Sequence, residues 1–284
     1  CQKVHAVTDA PTDPQPGQRI YRHSIAARTA HWLWTFAMLV LVMSGLQIFN
    51  AAPYLDASYK TDPAHRVLAF DAHTGADNQP VGTTTLFGHT FVTTHLFGFT
   101  DDGSGSEGPR AFPASITLPA VQDLADGRLW HLFFGWVLLI AIVVYIVAGA
   151  IRKDLREIVL RPSDLPKLLP MQLYYLRLRP EPPPHGKYNP LQKAAYTLVL
   201  FVFIPLIILT GLALSPGADA SLPWLTSVFG GRQFARTWHF TLMSILIVYF
   251  VVHMILVLAN GPINNTLAMI TGWYKLRKND GVGA

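Results

Sequence analysis

Apolar residues along this chain gather into four long uncharged runs, at about residues 29–50, 129–151, 194–215 and 237–259. Each exceeds the roughly 20 residues a helix needs to cross a hydrocarbon core, and over such lengths only a helix satisfies its own backbone groups in lipid. The second run is bracketed by Arg128 and Arg152. The third contains Pro205, which predicts a kink without an end, because neighbouring helices re-satisfy the freed carbonyl. The pattern predicts one all-α integral membrane domain over 1–284, a bundle of four transmembrane helices. Residues 51–128, rich in Asp, Gly, Thr and Pro, predict a partly ordered cap with little regular structure. Residues 152–193 form a second long connection. After the fourth run, NNTLAMITGWYKLRK has a basic end and a Trp-Tyr pair, which predicts a short helix lying at an interface. The first 28 residues are polar, with four basic groups, and do not read as a cleavable signal.

Composition strengthens this picture. The chain is 51% hydrophobic with mean hydropathy +0.30, and only 14% of it is charged, against roughly 25% in soluble domains. That leaves too few charges to clothe a soluble surface. A net charge of +5 would suggest nucleic acid in a soluble protein. Its distribution points elsewhere. The segments 1–28, 152–193 and 260–284 carry 16 of the 22 basic residues and seven acidic ones, whereas 51–128 and 216–236 carry six basic and ten acidic. By the positive-inside rule the first set, including both termini, faces the cytoplasm and the cap lies outside. No nucleic-acid partner is expected; lipid is. The single cysteine, Cys1, excludes an internal disulfide, a Cys-x-x-Cys site and a C-x-x-C-H haem attachment. Any haem would be held non-covalently.

Only four of the eleven histidines fall within the runs: His31, His131, His239 and His253. Ionisable groups inside a membrane are costly and mark function, although single histidines in helices are often hydrogen-bonded core residues. Spacing decides between these readings. His239 and His253, 14 residues apart, lie about 21 Å apart along a helix and about 40° apart around it. Both face one seam. Because the chain alternates direction, His31 shares the inner level with His253, and His131 the outer level with His239. Two histidine pairs at matched depths are what two bis-histidine b-type haems require. Gly45, Gly135 and Gly211 would let a flat macrocycle approach a helix, or simply serve helix packing. Arg28 with Arg22 inside, and Arg128, Arg232 and Arg236 outside, are candidate propionate partners or ordinary flanking charges. His89 and His95 have no carboxylate or cysteine cluster to complete a metal site.

Several segments carry a family resemblance: LQIFNAAPYL, TTLFGHTFVTTHLFG, FPASITLPAVQDLADGRLWHLFFGW, GKYNPLQKAAY, LTGLALSP and FGGRQFARTWHF. From about Tyr21 to Trp273 the chain resembles the thiosulfate-reductase-type cytochrome b subunits, a branch of the bacterial cytochrome b561 superfamily. That superfamily includes the membrane subunits of nickel–iron hydrogenases and respiratory formate dehydrogenase. The resemblance implies a four-helix cytochrome of the bacterial inner membrane with two stacked b haems. Their ligands fall on His31, His131, His239 and His253. It also implies a quinone site at a Lys-Tyr-Asn-x-x-Gln-Lys motif, here Lys187, Tyr188, Asn189 and Gln192, with Pro190 and Leu191 between. The expected role is electron transfer between quinone and a periplasmic redox subunit: a molybdopterin enzyme, reached directly or through an iron–sulfur or c-type cytochrome protein. A hydrogenase cytochrome b or a stand-alone cytochrome b561 are the redox alternatives, and a haem-free scaffold or transporter is the non-redox one.

Overall fold

A computed structural model describes residues 17–153, 155–186, 188–259 and 261–276. The chain enters through a short strand, β1 (Arg19–Tyr21), and forms α1 (Ile25–Asn50), whose first turn is capped by the Ser24 hydroxyl accepting the Ala27 N–H. After the cap comes α2 (Leu124–Ile151), capped by the Asp123 carboxylate. The connection that follows holds α3 (Leu155–Ile158) and α4 (Leu168–Tyr175). The third span is α5 (Pro190–Leu198), a π-helical turn (Val199–Phe203) and α6 (Ile204–Leu214) in one continuous run. The π turn directly precedes Pro205 and absorbs its missing N–H without breaking the span. Two short helices, α7 (Pro216–Ser221) and α8 (Pro223–Val228), lead to α9 (Arg232–Ala259), then α10 (Pro262–Thr271) and β8 (Trp273–Lys275).

The four long helices start four or five residues before the uncharged runs. Ser24, Asp123 and Asn189 cap the first three, and the earlier starts put Arg28, Arg128, Arg232 and Arg236 near the beginnings of their helices. Trp32, Phe36, Leu39, Phe133, Ile140 and Val248 on the spans present much of their apolar surface outward. An apolar belt of this kind needs lipid. The bundle closes on Ala37, Val40, Phe134, Leu138, Ile142, Ile204 and Leu246, which occupy the middle of the spans.

The cap departs from expectation: it is a β structure. Strands β2 (Tyr54–Asp56), β3 (Arg66–Thr74), β4 (Pro80–Leu86) and β5 (His89–Val92) make an antiparallel sheet in that order, and β6 (Gly98–Asp101) pairs with β7 (Glu107–Arg110). The β6–β7 hairpin lies backbone to backbone on the sheet. A Cβ on Gly98, at φ +81°, would sit 2.5 Å from the Asp71 carbonyl oxygen, and one on Gly82 would sit 2.5 Å from the Phe97 carbonyl oxygen. The glycines that suggested loop are there for close contact.

The cap is tied to the spans by buried polar bonds. Gln47 on α1, fully buried, accepts from the Arg110 guanidinium at 2.8 Å and donates to the Val121 carbonyl at 2.9 Å. Arg110 also donates to Thr117 at 2.6 Å and to the Asp102 carbonyl at 2.9 Å. Asn50 accepts the Phe112 N–H and donates to its carbonyl. Phe49, Phe70, Phe97, Phe112 and Phe240 pack around these bonds. At the other end, β1 pairs with β8, Arg19 opposite Lys275. The Arg28 guanidinium and the Trp32 indole there donate to the Ile270 and Met269 carbonyls of α10.

In the second connection, Asp164 accepts from Lys193 at 3.1 Å and from the Arg161 N–H at 3.1 Å. Burial pushes its carboxyl up, but these two partners outweigh burial and hold it below the ordinary carboxylate value. The folded value is thus the lower one, so the pair stabilises fully above the unfolded value of about 3.9 and fades as pH falls through the folded one. Between about pH 5 and pH 3 the thermal midpoint of the wild type should fall more steeply than that of Asp164→Asn; equal slopes would show that the pair contributes nothing.

Candidate haem-binding site

The four intramembrane histidines lie in two facing pairs. His31 on α1 meets His253 on α9 with ring centroids 6.4 Å apart, and His131 on α2 meets His239 on α9 at 6.1 Å. Each pair joins different helices, and α9 supplies one member to both. Here the two ends are called the cap level (His131, His239) and the distal level (His31, His253).

At the cap level each imidazole is held from behind. Ser44 Oγ lies 3.1 Å from His131 Nδ1, and Thr210 Oγ1 lies 2.9 Å from His239 Nδ1. Both hydroxyl-bearing residues are fully buried. At the distal level, Tyr249 stacks on His253 at 6.0 Å and Trp32 meets His31 edge-on at 5.2 Å. His31 Nδ1 is buried without a hydrogen-bond partner among the described residues.

Three of the four histidines follow an arginine by three residues: Arg28 and His31, Arg128 and His131, Arg236 and His239. On a helix this spacing puts both on one face. Arg28 spends one N–H on Ile270 while its Nε is buried without a partner among the described residues. Arg236 donates to the Ala52 carbonyl and lies 5.0 Å over the Phe49 ring. Arg128 is exposed. Arg22 lies 4.5 Å over Tyr274, and Arg232 reaches the Leu214 carbonyl and Asp219.

The candidate quinone residues are placed as follows. Asn189 caps α5: its Oδ1 accepts the Gln192 N–H at 2.9 Å, and Gln192 Oε1 accepts the Asn189 N–H at 3.1 Å. The Asn189 amide also donates to the Tyr175 hydroxyl at 3.0 Å. Most of the hydrogen-bonding capacity of Asn189 is therefore spent within the protein. Tyr188 stacks edge-on with Tyr196 at 5.6 Å. Burial pushes the Tyr175 phenol up and keeps it a neutral donor. Lys187 lies outside the described residues.

The family model described as prokaryotic cytochrome b561 matches residues 22–272. The chain belongs to this family. A putative protein-methionine-sulfoxide reductase subunit YedZ1 of Azospira oryzae is 26% identical to it over 251 residues, which cover 86% of this chain and 93% of that protein. No solved structure matches the chain. As a prokaryotic cytochrome b561 it is an integral membrane protein, and the family implies haem b.

The residues present fit that group. Two imidazoles binding one iron from opposite faces, with metal–nitrogen bonds of about 2 Å and ring centroids about 1 Å behind each nitrogen, place those centroids about 6 Å apart. Both pairs meet this spacing. Glycines also keep methyl groups away from the rings: a Cβ on Gly45 or Gly211 would press to 3.2 Å from Cε1 of His131 or His239. Gly135 has nothing within 4 Å of such a Cβ. Among the described residues no group of three or more His, Cys, Asp or Glu side chains is arranged for a metal ion; His95 instead pairs with Glu107 at 2.8 Å.

The hydroxyls of Ser44 and Thr210 escaped the sequence reading. Their signal was a Ser-Gly and a Thr-Gly dipeptide, which in a helix usually means no more than bonding to the preceding turn.

Proposed function

We propose that this chain is a di-haem cytochrome b subunit of the thiosulfate-reductase type, transferring electrons between the quinone pool and a redox partner across the bacterial inner membrane. The observation that carries this reading is the two imidazole pairs, 6.1 and 6.4 Å between centroids, set 14 residues apart along α9. His131 with His239, and His31 with His253, would each hold one haem b. Held between two histidines, haem would supply one-electron redox chemistry.

The chain's own groups do the rest. The imidazoles fix the iron positions at the two ends of the span, and the apolar core between them excludes water. Arg28, Arg128 and Arg236, one turn from their histidines, would donate to the propionates. At the distal level the phenols form the quinone site. The Tyr175 hydroxyl accepts from Asn189, which leaves its own proton to donate to a quinone oxygen. Asn189 and Gln192 hold this wall in place, with Tyr188 beside them and Lys187 next in sequence. The basic distal side faces the cytoplasm by the positive-inside rule, so the cap meets the periplasm.

The partner is a periplasmic molybdopterin oxidoreductase, reached directly or through an iron–sulfur or c-type cytochrome protein. Nine acidic against four basic residues across 51–128 give the cap a surface suited to a basic docking face. The relative from Azospira oryzae is described as a reductase subunit, which favours a subunit role over a stand-alone one and makes oxidised methionine the second candidate for the terminal substrate.

Proteoliposomes test the reading. With a quinol in the bilayer and a membrane-impermeant one-electron acceptor on the cap side, the wild type should reduce the acceptor. Tyr175→Phe should slow this by about tenfold or more with haem content unchanged. Acceptor reduction no faster than in protein-free vesicles would instead favour a haem-free scaffold.

A further inference from the structure

The two cap-level histidines rest in matched seats built by different helices. On α1 the seat is Ser44-Gly45, facing His131; on α6 it is Thr210-Gly211, facing His239. In each the hydroxyl oxygen lies within 3.1 Å of Nδ1, and a Cβ on the glycine would meet Cε1 at 3.2 Å. A methyl in place of either glycine hydrogen would push the ring off its hydroxyl. The backbone of each helix thus sets ring position and the neighbouring hydroxyl sets ring orientation.

A hydroxyl has one proton to give. Ser44 gives its proton to the Val40 carbonyl at 2.6 Å, and Thr210 gives its own to the carbonyls of the preceding turn, Leu206 at 2.9 Å and Ile207 at 3.0 Å. With that proton committed to the preceding turn, each oxygen meets the ring nitrogen as an acceptor, the arrangement in which Nδ1 carries the proton. That tautomer leaves Nε2 of both rings with a bare lone pair, the form a metal needs. At the distal level His31 Nδ1 has no such acceptor among the described residues.

The geometry points to Ser44 and Thr210 as positioning residues that fix His131 and His239 in the Nδ1–H tautomer and strengthen their donation to the cap-level haem iron, a support His31 lacks. This rests on the assignment of these histidines as axial ligands. A hydrogen bond accepted from Nδ1–H raises the basicity of the ligating nitrogen. A more basic ligand stabilises the oxidised iron and lowers the midpoint potential of the cap-level haem.

The test is an optical redox titration of the purified haem protein, the cap-level component being the one lost in His131→Ala. In Ser44→Ala and Thr210→Val that component should shift upward, so that at its own wild-type midpoint its reduced fraction exceeds one half, while the distal component stays half reduced at the distal wild-type midpoint. Ser44→Thr and Thr210→Ser, which keep the acceptor, should titrate as the wild type. Loss of the cap-level haem in the Ala and Val variants, with retention in the conservative ones, would equally support positioning. An unmoved cap-level component, movement of the distal one, or equal effects of the conservative variants would overturn the proposal. Retention of both components in His131→Ala would instead overturn the ligand assignment itself.

Discussion

His131→Ala and His253→Ala should each abolish one of two b-type haem signals, and they should abolish different ones. Each imidazole faces one partner only, and the two levels are separated by about 21 Å along α9. The packed residues between them, Leu138 and Leu246 among others, insulate one seat from the loss of the other. Alanine leaves an apolar slot with one remaining axial ligand, too little to hold a non-covalent haem in a site built for two. The haem-to-protein ratio should fall from two to one in either variant and to zero in the double variant, read by pyridine haemochrome assay. His239→Ala should reproduce the spectrum of His131→Ala, and His31→Ala that of His253→Ala. Grouping the four variants in any other way, for instance His131 with His253, would break the pairing.

Arg110→Met should detach the cap. Arg110 is 6% exposed and bonds Gln47, Thr117 and the Asp102 carbonyl. Methionine fills much of the volume but offers no donor, so the buried Gln47 and Thr117 oxygens lose their partner. Each unsatisfied buried group costs about 1–3 kcal/mol, and the loss should total roughly 3 kcal/mol against the cap. Gln47 lies three residues beyond Ser44 on α1, so the same bond keeps the cap in register with the His131 seat. Hydrogen exchange should accelerate at the amides of β3, β4 and β6 while those of the spans keep their protection. Cap amides that exchange as slowly as in the wild type would show that Arg110 is not an anchor.

The spans and the histidine pairing were legible because lipid imposes a strict rule. Only long uncharged helices cross it, and the helical repeat then fixes which of His239, His253 and their partners share a face. Lipid imposes no such rule on the cap. Its strands run from three to nine residues, and their register depends on contacts distant in sequence, such as Gly98 against Asp71, so a Gly- and Asp-rich composition reads as loop. The clasp of Arg19 with Lys275 joins the two ends of the described chain and leaves no local trace. At Asn189 the difficulty was one pattern with two uses. The residues that resemble a quinone motif also form a helix-capping box, and only geometry reveals Tyr175 as the hydroxyl they position. Ser44 and Thr210 were hidden for a related reason, since a hydroxyl inside a helix ordinarily serves its own backbone.

On the proposed reading this chain seats two haems, one at each end of its membrane-spanning bundle. An optical redox titration of the purified wild type, with haem and protein quantified in the same sample, measures this most directly. Two b-type components at two haems per chain are predicted. A preparation without a Soret band, or with a single component at one haem per chain, would contradict it.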